Sequence, residues 1–404
     1  MEDRMGKRVS YPALDRMKYA GAIMVIMIHC DTLIPQAETN FFIKNIICRI
    51  AVPFFFVSSS FFIRKGMQMR PEYLKEYFLH LINSYVVWSI LFLPMGLDWI
   101  HQNQEVPIEL LPAALFVGFV HIGTYYHLWY IPAFILSVIF IVNLLKRFSY
   151  QKVFVISLVL YLFGSLETYY GLLPSGWFKD FFDLVIRLTF TTRNGLFFGM
   201  IFTLIGFFIY DHQEKLSRMG KHSSSFLLLF GSLFVLEGLF LSHIHRLDMN
   251  FILMLVPLSF FLFLWLLSKN PTQNSCLKKL RELSQYYYFI HPICIVLVEE
   301  TGKALKLSML SSGILSFLTI LFLTHVFAKV IIHIRSKPLR PALLLKTLFA
   351  SIGLTLILAG SLYQFKVSSA VIKFEFVPCI WVISSFFSLF FFMNWRMVLP
   401  AVKN

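Results

Sequence analysis

Two ionisable residues stand eleven positions apart in the apolar stretch RMKYAGAIMVIMIHCDTL, residues 16–33: Lys18 and His29. On a helix, eleven residues make three turns plus about 20°, so both side chains share one face, separated by about 16 Å along the axis. A cation and an imidazole would then line one groove. A neutral imidazole can take a proton from a hydroxyl near neutral pH, or carry an acyl group itself. Each residue alone has a plainer reading, Lys18 as an anchor at a membrane surface and His29 as a hydrogen-bonding partner of a neighbouring helix. The pairing on one face favours chemistry.

A second stretch, CRIAVPFFFVSSSFFIRK at residues 48–65, carries Arg49 ahead of a long apolar run. An arginine there must be solvated by protein or by a water-filled cavity, so it is expected to face the same space as His29. Ser58, Ser59 and Ser60 would offer hydroxyls to that cavity or to backbone carbonyls, whereas Arg64 and Lys65 read as surface anchors. Further candidates are His127 in TYYHLWYIPAFIL, Arg193 in TTRNGLFFGMIFTLIG and His291 in YYYFIHPICI. The aromatics around His127 fit an interfacial belt, which does not explain the imidazole.

These residues must be held by membrane-spanning helices. The chain is 58% hydrophobic, with 46 phenylalanines and 14% charged residues, against about 25% charged in a soluble domain. The net charge of +15 does not indicate nucleic acid, because the basic residues sit in short loops between apolar segments. A span needs roughly 20 apolar residues. Candidates lie near residues 18–35, 46–63, 76–94, 126–145, 152–168, 194–210, 225–243, 249–268, 285–298, 309–333, 342–363 and 376–393. The expected fold is all-α, a polytopic transmembrane bundle of about ten to twelve spans. Most Lys and Arg fall on one side, and residues 95–125 on the other carry Asp98, Glu105 and Glu109 but no Lys or Arg. The positive-inside rule then puts both termini in the cytoplasm.

The 285–298 span is short and polar at its start, residues 107–122 suit an interfacial or re-entrant helix, and Pro53, Pro132 and Pro292 mark either kinks or span ends. Cys30, Cys48, Cys276, Cys294 and Cys379 show no CxxC or Cys/His spacing, so neither a metal site nor a disulfide framework is expected. The N-terminus lacks a small-residue cleavage site after the first apolar stretch, and that span is expected to stay in the membrane.

In this order the motifs LDRMK with His29, VPFFFVSSSF, HLWYI and YFIHP resemble those of the acyltransferase-3 family of integral membrane O-acyltransferases, over roughly residues 11–335. The resemblance implies a transmembrane acyltransferase domain at 1–335, with additional membrane helices at 336–404. It implies transfer of an acyl group, commonly acetyl, from cytoplasmic acyl-coenzyme A to a hydroxyl of an envelope glycan or related acceptor, in a bacterial plasma membrane. It makes His29 the essential catalytic group and puts position 18 where the family has arginine. Two departures stand out: Lys18 replaces that arginine, and Ser60 replaces the glycine of an SGF motif. Lys18 could still hold phosphate as a point charge, without the bidentate fork. Ser60 is expected to restrict close helix approach.

RIAVPFFFVSSSFF, YYHLWYIPA and TRNGLFF also resemble the membrane domain of the serine racemases of vancomycin-resistance clusters. This likeness implies an alternative, a membrane subunit for serine uptake that works with a separately encoded racemase, since no racemase-sized segment is expected after NWRMVLPAVKN. The candidate set is His29 as the catalytic group, with Lys18, Arg49, His127, Arg193 and His291 binding substrate.

Overall fold

The computed structural model describes residues 11–103, 116–219, 223–269 and 278–335. The expected spans at 342–363 and 376–393, together with Cys276, Cys379 and most of the 107–122 segment, lie outside these residues. Among the described residues the secondary structure is entirely helical.

The first helix, α1, runs Pro12–His29, with Pro12 in its first turn, where a missing N–H costs nothing. Its other end is capped by Lys44, whose Nζ donates to the carbonyls of Cys30 and Asp31. A cation at helix carbonyl ends is favourable and fixes where the helix stops, at His29. The chain returns through α2 (Ala37–Phe41), a π-helical turn at Phe42–Ile46, a tight 3₁₀ turn at Ile47–Ile50 and α3 (Ala51–Met69). Next come α4 (Tyr73–Asn103), α5 (Tyr130–Leu145), α6 (Tyr150–Ser165), the short α7 (Trp177–Thr189) and α8 (Met200–Asp211). The remainder are α9 (Gln213–Met219), α10 (Ser223–Ser242), α11 (Leu255–Ser268), α12 (Lys278–Ala304), α13 (Ser308–Ser311) and α14 (Ile314–Arg335).

Among the described residues four segments are long and apolar enough to cross a membrane: Ala37–Met69, Tyr73–Leu93, Ser223–Ser242 and Ile314–His333. Four shorter apolar helices accompany them, and the whole forms a helical membrane bundle. The two helices that carry Lys18, His29 and His291, α1 and α12, are absent from both groups. Charge explains α1, whose 18 residues include Asp15, Arg16 and Lys18.

The core divides into two clusters. One gathers phenylalanines of α3, α5, α8 and α11, among them Phe54, Phe56, Phe134, Phe202 and Phe263. The other joins α1, α4, α12 and α14 through Ile26, Trp88, Phe92, Ile290 and Ile320. The candidate site lies where they meet.

Several expectations change. The 285–298 span is part of a 27-residue helix, α12, with Pro292 inside it. That proline frees the carbonyl of Tyr288, and the helix continues while His291 Nδ1 bonds the neighbouring carbonyl of Tyr287 at 2.9 Å. Pro53 and Pro132 each sit third in α3 and α5, in first turns that need no N–H donor there, so they start helices. The fourth helix does not end at residue 94 but runs to Asn103. Arg64 is no loose anchor, because its guanidinium makes a two-pronged pair with Asp211 at 2.8–3.0 Å, which also accepts from Gln68 and Tyr150.

Ser60 does not keep helices apart either. Its hydroxyl folds back onto the carbonyls of Phe56 and Val57, and the close approach comes from the facing helix. A Cβ at Gly206 of α8 would lie 2.1 Å from Ser60 Oγ and 2.4 Å from the Val57 carbonyl.

Candidate functional site

A cavity of about 420 Å³ lies between α1, α3, α4, α5 and α12 and is lined by five of the six candidates: Lys18, His29, Arg49, His127 and Arg193. On α1 its lining runs from Lys18 to His29, the eleven-residue interval read from the sequence. The sixth candidate, His291, is fully buried and packs against the other two imidazoles. Its ring stacks on His29 at 5.4 Å and meets His127 edge-on at 5.4 Å.

The Lys18 end is fixed by an ion pair that sequence reasoning missed. Asp15, 3% exposed, accepts from Arg281 Nε and Nη2, both at 3.1 Å, which ties the first turn of α1 to the first turns of α12. Arg281 lines the cavity with Lys18, whose amine lies 4.6 Å from the centre of the Phe62 ring. His80, Ser84 and Gln285 also line the cavity. Asp15 belongs to the LDRMK motif, so its presence was legible. Its partner, 266 positions away, was not.

The His29 end is built from irregular backbone. Arg49 sits on the 3₁₀ turn that follows a π turn, and this break in helical period turns it toward α1. Its Nη1 donates to Asn250 Oδ1 at 2.7 Å and its Nη2 to Asn45 Oδ1 at 2.8 Å. Arg193 precedes the π turn Gly195–Gly199, whose start is capped by Asn194 Oδ1 accepting from the amides of Leu196 and Phe197. Its guanidinium lies 5.0 Å from the centre of the Trp129 ring and its Nη1 is 3.8 Å from Asp248. Gly195 lets this turn pack against α5, since a Cβ there would be 2.3 Å from the Ala133 carbonyl.

His127 is 2% exposed, and neither ring nitrogen has a hydrogen-bond partner; nor has His291 Nε2. His127 is held instead by rings, with Phe92 at 4.6 Å and Tyr288 at 5.5 Å, and by its carbonyl, which accepts from Tyr288 Oη at 2.8 Å. His29 is half-buried beside Tyr126, ring to ring at 4.6 Å. Three imidazoles with unused nitrogens can accept, hold and pass protons. Ser59 and Tyr130, whose hydroxyls are 3.4 Å apart, line the space between the two ends. Among the described residues no group of three or more His, Cys, Asp or Glu has a metal-holding arrangement.

The chain is 29% identical over 338 residues to an amino-acid racemase of Enterococcus faecalis, covering 82% of this chain and 46% of that protein. It is 30% identical over 319 residues to a serine/alanine racemase of Enterococcus gallinarum, covering 77% of this chain and 44% of that one. It thus spans less than half the length of these curated relatives. No solved structure matches it. A family profile described as "Acyltransferase domain" matches residues 11–333, a stretch that holds the whole cavity and both of its ends, and the chain belongs to the acyltransferase-3 family.

Proposed function

We propose that this chain moves an acyl group, acetyl in the simplest case, from acyl-coenzyme A to a hydroxyl of an envelope glycan or related acceptor. One observation supports the reading best: a single cavity has a cationic end at Lys18 and Arg281 and an imidazole end at His29 and His127, with His291 packed behind them. A volume of about 420 Å³ suits a thioester arm and its acyl group. The larger nucleotide would stay at the mouth, its phosphates against Lys18 and Arg281.

In this scheme a ring nitrogen of His29 takes the acceptor hydroxyl proton as its oxygen attacks the thioester carbonyl. The carbon–sulfur bond breaks and coenzyme A leaves, collecting the proton as a free thiol. The alternative route passes the acyl group through the His29 nitrogen, and both need the same residue. The basic side of the chain would face the cytoplasm, with both termini there, in a bacterial plasma membrane.

A second reading is a membrane subunit for serine uptake that works with a separately encoded racemase, and relatives named as racemases are what support it. The test is incubation of purified, reconstituted protein with radiolabelled acetyl-coenzyme A and an envelope extract. Coenzyme A release and label transfer are expected from the wild type and not from His29→Ala. A folded wild type without turnover overturns the proposal and makes labelled serine uptake the next measurement.

A further inference from the structure

Four basic side chains line the cavity, Lys18, Arg49, Arg193 and Arg281, and no described carboxylate does. Three carboxylates stand behind them, one of which, Glu167, accepts from the Thr191 and Thr192 hydroxyls and the Thr192 amide beside Arg193. Asp15 is committed to Arg281, while Asp248 approaches Arg193 at 3.8 Å and accepts from the Asn250 side chain and the Met249 amide. Arg49 has only the amide oxygens of Asn45 and Asn250 as acceptors, although it sits inside a membrane bundle. The Nε atoms of Arg49 and Arg193 are both buried without a partner. Neither Asp248 nor Glu167 is hydrogen-bonded to Arg49, so among the described residues this guanidinium lacks a charged hydrogen-bond acceptor at the His29 end.

A guanidinium hydrogen-bonded only to neutral amides is costly where water is scarce, and a ligand carboxylate would supply a charged acceptor. A carboxylate, small and planar, matches the guanidinium geometry at this end. We propose that the His29 end of the cavity binds the carboxylate of a hydroxyl-bearing acceptor, with Arg49 as the main contact and Arg193 beside it. The acceptor hydroxyl is thereby held at His29. The word acceptor rests on the acyl-transfer reading, but the carboxylate site does not, because it follows from charge and hydrogen bonding alone.

The experiment is calorimetric titration of the full reconstituted chain with glycerol, glycerate and glycerol 3-phosphate, three probes that share hydroxyls and differ in charge. Glycerate is expected to bind wild type at least about tenfold more tightly than glycerol, the gain typical of a charge-assisted contact. Asn45→Asp should erase that preference. It keeps an oxygen for Arg49 Nη2 while supplying a charged acceptor, so it serves even where Arg49→Gln fails to fold. Lys18→Gln and His29→Ala should keep the preference. Equal binding of glycerate and glycerol overturns the proposal, as does a preference retained in Asn45→Asp or lost in Lys18→Gln. Tighter binding of glycerol 3-phosphate than glycerate overturns the assignment to a carboxylate. Turnover that survives in His29→Ala, with the glycerate preference intact, would sink the acyl-transfer reading and leave this one standing.

Discussion

Two hollows among the described residues have opposite character. The larger, about 750 Å³, opens between α6, α8 and α11 and is walled by Phe154, Val155, Leu158, Leu204, Phe260 and similar side chains, with Tyr150 and Gln151 at one edge. The smaller, about 420 Å³, is the cavity lined by four basic side chains and the imidazoles of His29, His80 and His127. Size alone would choose the first. In a membrane, however, an apolar groove needs no special support because lipid can fill it, whereas each buried cation must be solvated by protein or ligand. The smaller hollow has that support: a Lys44 cap that stops α1 at His29, an Asp15–Arg281 pair, a π turn ahead of Arg49 and an Asn194-capped turn just after Arg193. The contrast teaches that the cost of polar groups, not volume, locates chemistry here.

The largest expected stability effect that sharpens this contrast lies outside both hollows. Asp211→Ala strips Arg64 of its two-pronged partner and leaves Gln68 and Tyr150 unpaired, where the ion pair is only 27% and 13% exposed. A loss of about 3 kcal/mol is expected, read as an earlier thermal unfolding midpoint in detergent. Gly206→Val should follow, at about 1–3 kcal/mol, because the new side chain meets backbone at Val57 and Phe61 as well as Ser60. Adding Ser60→Gly should restore only part of that loss, which a double-mutant cycle would show.

Smaller effects belong to the polar cavity. Lys18→Glu should raise KM for acetyl-coenzyme A about tenfold and change kcat less, since the residue meets the donor away from the reacting atoms. Lys18→Arg, which keeps the charge and adds a fork, should leave KM within about threefold of wild type. The smallest effect is expected in the apolar groove, where Val155→Trp adds bulk to an exposed wall position and should leave turnover unchanged.

Much of this was legible in the sequence. The Lys18 to His29 spacing survives as a shared helix face, and the arginine that had to be solvated does line the same cavity as His29. The partners were not legible, because they come from far along the chain: Asn250 reaches Arg49 across 201 positions and Arg281 reaches Asp15 across 266. Hydropathy also misleads at the site itself. The residues that give α1 and α12 their role also dilute their apolar character, and α12 looked like a short span for that reason. Nor does a single sequence announce π turns, in which one extra residue shifts every later side chain around the helix. Gly206 carried the close approach that the serine at position 60 appeared to forbid, a pairing visible only once α3 and α8 are packed.

The most direct test sets the two hollows against each other. Label transfer from radiolabelled acetyl-coenzyme A would be measured in reconstituted wild type, His29→Ala and Val155→Trp, each checked for folding. If the cavity at His29 carries the reaction, His29→Ala falls by at least about a hundredfold while Val155→Trp matches the wild type. Transfer that persists in His29→Ala and fails in Val155→Trp would place the reaction in the apolar groove and contradict the central claim.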